Sequence, residues 1–256
     1  MKTLLLHIRI LATLVLRETR ASFGTSSVGY LWAIVTPAMS VGLLVFIFSL
    51  VDRQPPFGTS LAVFFATGIL TIEFFNKLSN TLLTSFSANR ALLNYPLIKE
   101  ADTLYARTLL ISATYVMIML IFFGSLFFAD AGVMPQNPHM VFQAFAATML
   151  LGFAIGTLNA VIASLWHSWP QIEKVLTRPL IFVSGVFYLP SRLPTEAQNV
   201  LYWNPVLHCV EWFREGFYGN YNSAIFDPNY PIAVSLGILL FGLAGERFTR
   251  KSRSMA

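Results

Sequence analysis

The residues able to do chemistry are few, and their spacing fits no familiar reaction. Gly24-Thr25-Ser26-Ser27-Val28-Gly29 has the outline of a phosphate-binding loop. Such a loop continues with Lys, which reaches the outer phosphates, and then with a Ser or Thr hydroxyl that holds Mg. Tyr30 and Leu31 stand in those two places, so the chain does not bind and hydrolyse ATP by that route. His7, His139, His167 and His208 are scattered and show no metal-ligand spacing. Ser184-Gly185 with a later His208 raises an intramembrane serine protease, but the Gly expected two residues before the nucleophile is Phe182. The close acidic pair Glu211 and Glu215 is accounted for by one helix surface. Cys209 is the single cysteine and permits no internal disulfide. Glu73 lies deep in an apolar segment, where an ionisable group is a functional candidate by default. Lys77, one helical turn on, is placed to pair with it. An ion-driven carrier would carry more intramembrane charge, or internal repeats with paired broken helices.

The elements that must hold these residues are membrane helices. Of 256 residues 55% are hydrophobic and 11% charged, and mean hydropathy is +0.64. A soluble domain carries about 25% charged residues, so the expected class is an all-α polytopic membrane protein. The first apolar span opens after Arg17 and Arg20. Hydroxyls at Thr25, Ser26 and Ser27 can cap a starting helix, and Tyr30 and Trp32 fall at headgroup depth. From Leu31 the chain is almost uncharged until Asp52, enough to cross a hydrocarbon core of about 30 Å. Further apolar segments cover residues 61–80, 104–129, 141–165, 172–189 and 230–243, six spans in all. Ahead of them Leu4, Leu5, Ile8, Leu11, Ala12 and Val15 recur at helical spacing, with His7, Arg17 and Arg20 away from that stripe. This suits an amphipathic helix lying in the membrane surface. With the N-terminus inside, fourteen of the seventeen basic residues fall on the inner side and only Arg53, Arg192 and Arg214 on the outer. That bias places both termini in the cytoplasm. It also explains the net charge of +5 as a topology signal, with no nucleic acid implied.

Three stretches exceed what spans and turns require. The cytoplasmic loop at 85–100 mixes charge with Leu92, Leu93, Tyr95, Leu97 and Ile98, either a docking patch or side chains resting on the membrane surface. Pro96 should end one short helix near Asn94 and let another begin beyond it. Gly152 and Gly156 have the spacing of a close helix contact. The fifth span is punctuated by Pro170, Pro179, Gly185 and Pro190, and about forty unusual residues follow it. Pro194 can open a short helix through Trp203. Asn204-Pro205 can cap a second, with Val206, Val210, Phe213 and Phe217 as its apolar stripe, Glu211 and Arg214 facing away, and Gly219 ending it. Both are too short to cross, so a pair of re-entrant half-helices is expected, and broken segments of this kind point to a transport path. The rings of Phe187, Tyr188, Tyr202, Trp203, Phe217 and Tyr218 are then either an interfacial belt or a slide for sugar.

Several of these motifs, in this order, resemble ABC-2 type exporter permeases. They are Gly29-Tyr30-Leu31-Trp32-Ala33-Ile34 with Pro37, Asn89-Arg90-Ala91-Leu92-Leu93-Asn94-Tyr95-Pro96, Asn204-Pro205, and Glu211-Trp212-Phe213-Arg214-Glu215-Gly216-Phe217-Tyr218-Gly219. The resemblance covers essentially the whole chain and looks closest to the inner-membrane permeases of group 2-type capsular polysaccharide export in Gram-negative bacteria. It implies one transmembrane domain over 1–256, with an interfacial helix in 1–24, a coupling segment in 84–103 and periplasmic gate helices in 190–220. It implies a homodimer in the bacterial inner membrane with two copies of a cytoplasmic ATPase, which binds the ATP and Mg; no cofactor is expected in this chain. Lipid-linked polysaccharide would be the cargo, passed to periplasmic and outer-membrane export proteins. Asn89, Arg90, Leu93, Asn94, Tyr95, Pro96 and Leu97 would meet the ATPase. Tyr30, Trp32, Phe187, Tyr188, Tyr202, Trp203, Phe217 and Tyr218 would line the path. Arg17 and Arg20 lie where a lipid-linked phosphate could be received, or serve only as orientation charges. The alternatives are a polytopic enzyme or scaffold of envelope glycan assembly, or an ABC-2 permease for another lipid-linked glycan or a small hydrophobic substrate.

Overall fold

An apolar run crosses lipid as one helix when nothing interrupts its backbone pairing, because every N–H and C=O is then satisfied within the segment. The structure is a computed structural model that describes residues 2–23, 27–93, 98–129 and 134–254. Among the described residues there are twelve α-helices, one 3-10 turn and no strand. Helix α1 (Lys2–Phe23) precedes α2 (Ser27–Leu50) and α3 (Leu61–Leu83). The short α4 (Ser85–Ala88) and α5 (Arg90–Leu93) follow, then the long α6 (Glu100–Phe128) and α7 (Pro138–Leu165). Beyond these come α8 (Trp169–Thr177), α9 (Leu180–Val183), the 3-10 turn Pro190–Arg192, α10 (Thr195–Leu201), α11 (Pro205–Phe217) and α12 (Asn229–Ser254). Among the described residues five helices are long and apolar enough to cross a membrane: Leu31–Leu50 of α2, α3, α6, α7 and Asn229–Thr249 of α12.

The strut of the bundle is α3. In its most apolar window 72% of residues are buried, against 11% in α2 and in α12, whose outer faces are bare apolar side chains. Its start is capped by Ser60, whose hydroxyl accepts the Val63 N–H, and α7 is capped in the same way by Asn137. The Gly152 and Gly156 spacing does bring helices together, and within one protomer. A Cβ on Gly156 would lie 2.7 Å from Leu82 Cβ and 3.1 Å from the Ser79 Cα, so glycine sets the α3–α7 approach. The Phe74 and Phe145 rings stack at 4.5 Å in the same seam.

The expected fifth span is not one helix. Pro179 supplies no N–H and its ring clashes with the preceding turn, so α8 and α9 are separate pieces. Gly185 then takes φ 71°, a left-handed value that ends helical pairing before Pro190. The short α10 and α11 lie where the proline and Asn-Pro signals put them, and α11 packs on α3, α7 and α12.

Candidate functional site

Two clusters of polar side chains stand at opposite ends of α3. At the Leu83 end, α1 is fastened to the corner formed by α4 and α6. The Arg17 guanidinium donates to Asn89 Oδ1 at 2.7 Å, His7 lies 3.5 Å from Asp102, and Glu18 pairs with Arg107. Arg107 also donates to the Thr81 carbonyl at 2.7 Å and to Thr84 Oγ1 at 3.2 Å, which ties α6 to the last turn of α3. The Ser85 and Thr103 hydroxyls meet at 3.1 Å. The start of α6 is held by Asp102, whose carboxylate accepts the Lys99 N–H at 2.9 Å. Glu18 and Arg107 are both buried, so the pair is desolvated and each depends on the other.

At the Leu61 end the cluster answers a backbone problem. Where α9 stops and Gly185 turns, carbonyls lose their helical partners, and buried carbonyls must find others. Asn204 Nδ2 donates to the Val183 carbonyl at 3.2 Å and to Ser184 Oγ at 3.0 Å. Arg214 donates to the carbonyls of Gly185 at 2.7 Å and Val186 at 3.1 Å, and Arg53 to that of Phe187 at 3.4 Å. Arg214 has no exposed surface, and its guanidinium sits 4.0 Å from the Phe64 ring centroid. Glu211 balances its charge at 3.2 Å while accepting the Tyr221 and Ser223 hydroxyls at 2.8 and 2.6 Å. One turn earlier, His208 Nδ1 accepts the Asp227 N–H at 3.1 Å. Its Nε2 must then carry the proton given to the Tyr202 carbonyl at 2.8 Å. Burial holds this imidazole below its ordinary value, and it pushes the Cys209 thiol up to about 12.

These clusters correct three expectations. Glu211 and Arg214 do not face away from the apolar stripe of α11; both are completely buried. The signal was present, because Leu207, Cys209 and Trp212 lie outside that stripe and make α11 apolar all round, the mark of a buried helix. The same burial means that an exposed helix surface does not account for the Glu211–Glu215 pair: Glu211 is buried against Arg214, Tyr221 and Ser223, and only Glu215 is partly exposed. Glu73 does not pair with Lys77: no salt bridge joins them, Glu73 being partly buried and Lys77 exposed.

The remaining sequence candidates fall in different places. Asn89 is buried at 2% exposure and Arg90 is exposed, while Asn94, Tyr95, Pro96, Leu97 and the Leu93 side chain lie outside the described residues. Arg17 is committed to Asn89, and Arg20 is exposed. The Tyr30 side chain is outside the described set, and Trp32 is 58% exposed. Phe187 and Tyr188 are half-buried, Phe187 between Phe48 and Phe182. Tyr202 donates to Asp227, and Trp203 is exposed. Phe217 packs against Phe123 and Phe213, and Tyr218 against Phe57, so neither offers a free face to a conduit in this conformation. The Glu18–Arg107 pair went unread in the sequence, although an arginine inside the third apolar run called for a partner.

A family model described as ABC-2 type transporter matches residues 10–218. The chain is 29% identical over 231 residues to the polysialic acid transport protein KpsM of Escherichia coli, covering 90% of each chain. It is 26% identical over 236 residues to the capsule polysaccharide export inner-membrane protein BexB of Haemophilus influenzae, covering 92% of this chain and 89% of that one. It is 28% identical over 254 residues to the protein of the same description, CtrC, from Neisseria meningitidis serogroup A, covering 95% and 92%.

Proposed function

Because this chain belongs to the ABC-2 type transporter family, we propose that it is the membrane permease of an ATP-driven exporter of lipid-linked capsular polysaccharide. The observation that carries this is similarity along about nine-tenths of both chains to proteins described as polysialic acid transport and capsule polysaccharide export proteins. The permease supplies the path and a partner ATPase supplies the work, in keeping with a sequence at 24–31 that lacks the Lys and Ser/Thr of an ATP site.

In this reading two copies of the chain, each bound below to one ATPase, stand in the bacterial inner membrane with both termini inside. Each copy crosses six times: five times as the continuous helices and once as the broken α8–α9 segment. The α1 end is cytoplasmic, with α1 in the interface. The half-helices α10 and α11 re-enter from the periplasmic side, where export proteins continue the conduit. The ATPase presses the segment at 89–97. Asn89, bonded to Arg17, and Arg107, bonded to Glu18, pass that push to α1, α3 and α6 together.

The test is reconstitution. The chain purified alone should hydrolyse no ATP, and cells lacking it should retain polysaccharide inside while still making it. ATP hydrolysis by the isolated chain, or undiminished polysaccharide at the cell surface, would overturn the reading.

A further inference from the structure

We propose that the groove where α1, α2, α3 and α6 meet binds one phospholipid of the inner leaflet, phosphate at the α1 end and an acyl chain running inward. Two joined cavities, about 390 and 370 Å³, lie in this groove, with Lys77 and Asn80 lining both. Each has the size of a ligand site, roughly 300–1,000 Å³.

Their walls differ in chemistry. The cavity at the α1 end is walled by Glu18, Ser22, Thr81, Thr84 and Arg107. Glu18 neutralises Arg107 there, which leaves Lys77 as a cation with no ion-pair partner among the described residues. Lys77 with the Ser22 and Thr81 hydroxyls and the second N–H of the Asn80 amide, whose first goes to the Asn76 carbonyl, forms a donor set for a phosphate diester. The deeper cavity is walled by Ala33, Pro37, Ile111, Ile118 and the Tyr115 ring, with Thr36, Thr114, Asn76 and one carboxylate, Glu73, among them, and most of its exposed lining is apolar. That wall offers an acyl chain mostly carbon.

Depth selects the occupant. Lys77 and Thr84 are seven residues apart, about 10 Å along α3, and the 23 residues of α3 span roughly 34 Å. With a hydrocarbon core of about 30 Å, the last turn of α3 stands at headgroup level, and the Lys77 ammonium reaches that level on its flexible stem. Free phosphate would leave the deeper cavity unfilled, and a fatty chain without phosphate would leave Lys77 unpaired. A phospholipid uses both. The inference rests on the inner-facing orientation of the α1 end and is independent of which cargo is exported.

The experiment uses full-length protein from cells that make no capsular polysaccharide, so bound lipid cannot be cargo. Native mass spectrometry in mild detergent should show about one phospholipid retained per chain. Lys77→Ala should lower its occupancy roughly fivefold to tenfold, the loss of one charge-assisted contact, whereas Lys77→Arg should keep it. Ala33→Leu, which fills the deeper cavity and leaves every charge in place, should also expel the lipid. Protection of the buried Cys209 thiol certifies that each variant is folded. A folded Lys77→Ala or Ala33→Leu protein with undiminished lipid overturns the proposal. So does protection of the wild-type protein against heat by inorganic phosphate as strong as that given by phosphatidylglycerol. Since neither ATPase nor cargo is present, failure here leaves the export reading standing.

Discussion

Arg214→Met tests whether α11 and the broken fifth segment are held as one body. The substitution keeps length and apolar bulk but removes the donors to the Gly185 and Val186 carbonyls and the cation facing Glu211. Glu211 keeps the Tyr221 and Ser223 hydroxyls but is left as a buried, uncompensated charge. Breaking such a pair costs about 3–5 kcal/mol. At about 1.4 kcal/mol per decade, local opening of α11 should rise on the order of 100- to 1,000-fold or more. The protein carries its own reporter. Cys209 is its single cysteine, lies on the same helix, is completely buried, and has its thiol pushed up to about 12. In the closed state it is therefore neither reachable nor ionised, and maleimide labelling measures the open fraction. Labelling of Arg214→Met at fixed pH should outrun wild type by about a hundredfold. Arg214→Lys should fall between, because an ammonium preserves the charge opposite Glu211 but not the planar fork that reaches two carbonyls. A rise under about threefold in Arg214→Met, worth roughly 0.6 kcal/mol, would refute the idea that this arginine holds the turn.

At the other end of the bundle, Glu18→Ala should strand the buried Arg107 guanidinium. A loss of about 3 kcal/mol in stability is expected, read as the thermal midpoint in detergent, with Glu18→Arg/Arg107→Glu recovering part of it. Gly156→Ala should cost about 1–3 kcal/mol by overpacking against Leu82 and the Ser79 backbone. Gly42→Ala, with nothing within 4 Å of the new Cβ, should stay within about 0.5 kcal/mol of wild type in the same assay. His208 should make stability acid-sensitive. Its folded value is lowered by burial, so the neutral ring belongs to the native state, and protonation would abolish acceptance of the Asp227 N–H. This contribution is complete above the ordinary value near pH 6.5 and drains away as pH falls towards the lower folded value. Thermal midpoints between about pH 7 and pH 5 should therefore fall more steeply for wild type than for His208→Gln.

Much of the fold was legible because its signals are local. Span positions follow from uninterrupted apolar length. The starts of α10 and α11 follow from Pro194 and Asn204-Pro205, where capping and a missing N–H act within a few residues, whereas α7, expected from 141, begins at Pro138 behind its Asn137 cap. The break after α8 was written in Pro179 and Gly185. The polar clusters were harder to read because their partners are remote in the chain. Arg17 meets Asn89 across 72 positions, Arg53 meets Phe187 across 134, and Arg214 meets Gly185 across 29. An i, i+4 rule suggested Glu73 with Lys77, yet Lys77 is exposed, Glu73 partly buried, and no salt bridge joins them. Glu211 and Arg214 were misread because a charged pair on a short helix usually marks its wet face. Here the demand of unpaired carbonyls reversed that rule.

The two polar clusters share α3, and this bears on how a push could travel. Arg107 grips the last turn of α3 through the Thr81 carbonyl and Thr84, while Arg214 lies against Phe64 and Gly68 near its start. Phe64 and Thr81 are seventeen residues apart, about 25 Å of helix. Such a length transmits displacement only if it is stiff and laterally supported. The α3 helix has the Gly152–Gly156 seam on one side and few exposed positions, whereas α2 and α12 have little protein around them. In the proposed exporter, a load applied where α1, α4 and α6 meet would be carried by α3 to the place where α8 and α9 are already broken. There the backbone is held by side-chain donors rather than by helical pairing, so rearrangement exchanges a few arginine and asparagine contacts instead of unwinding a helix. Were the proposed path to open there, the Arg214 contacts to the Gly185 and Val186 carbonyls would be the ones exchanged, and Arg214 would act as a latch as well as a brace.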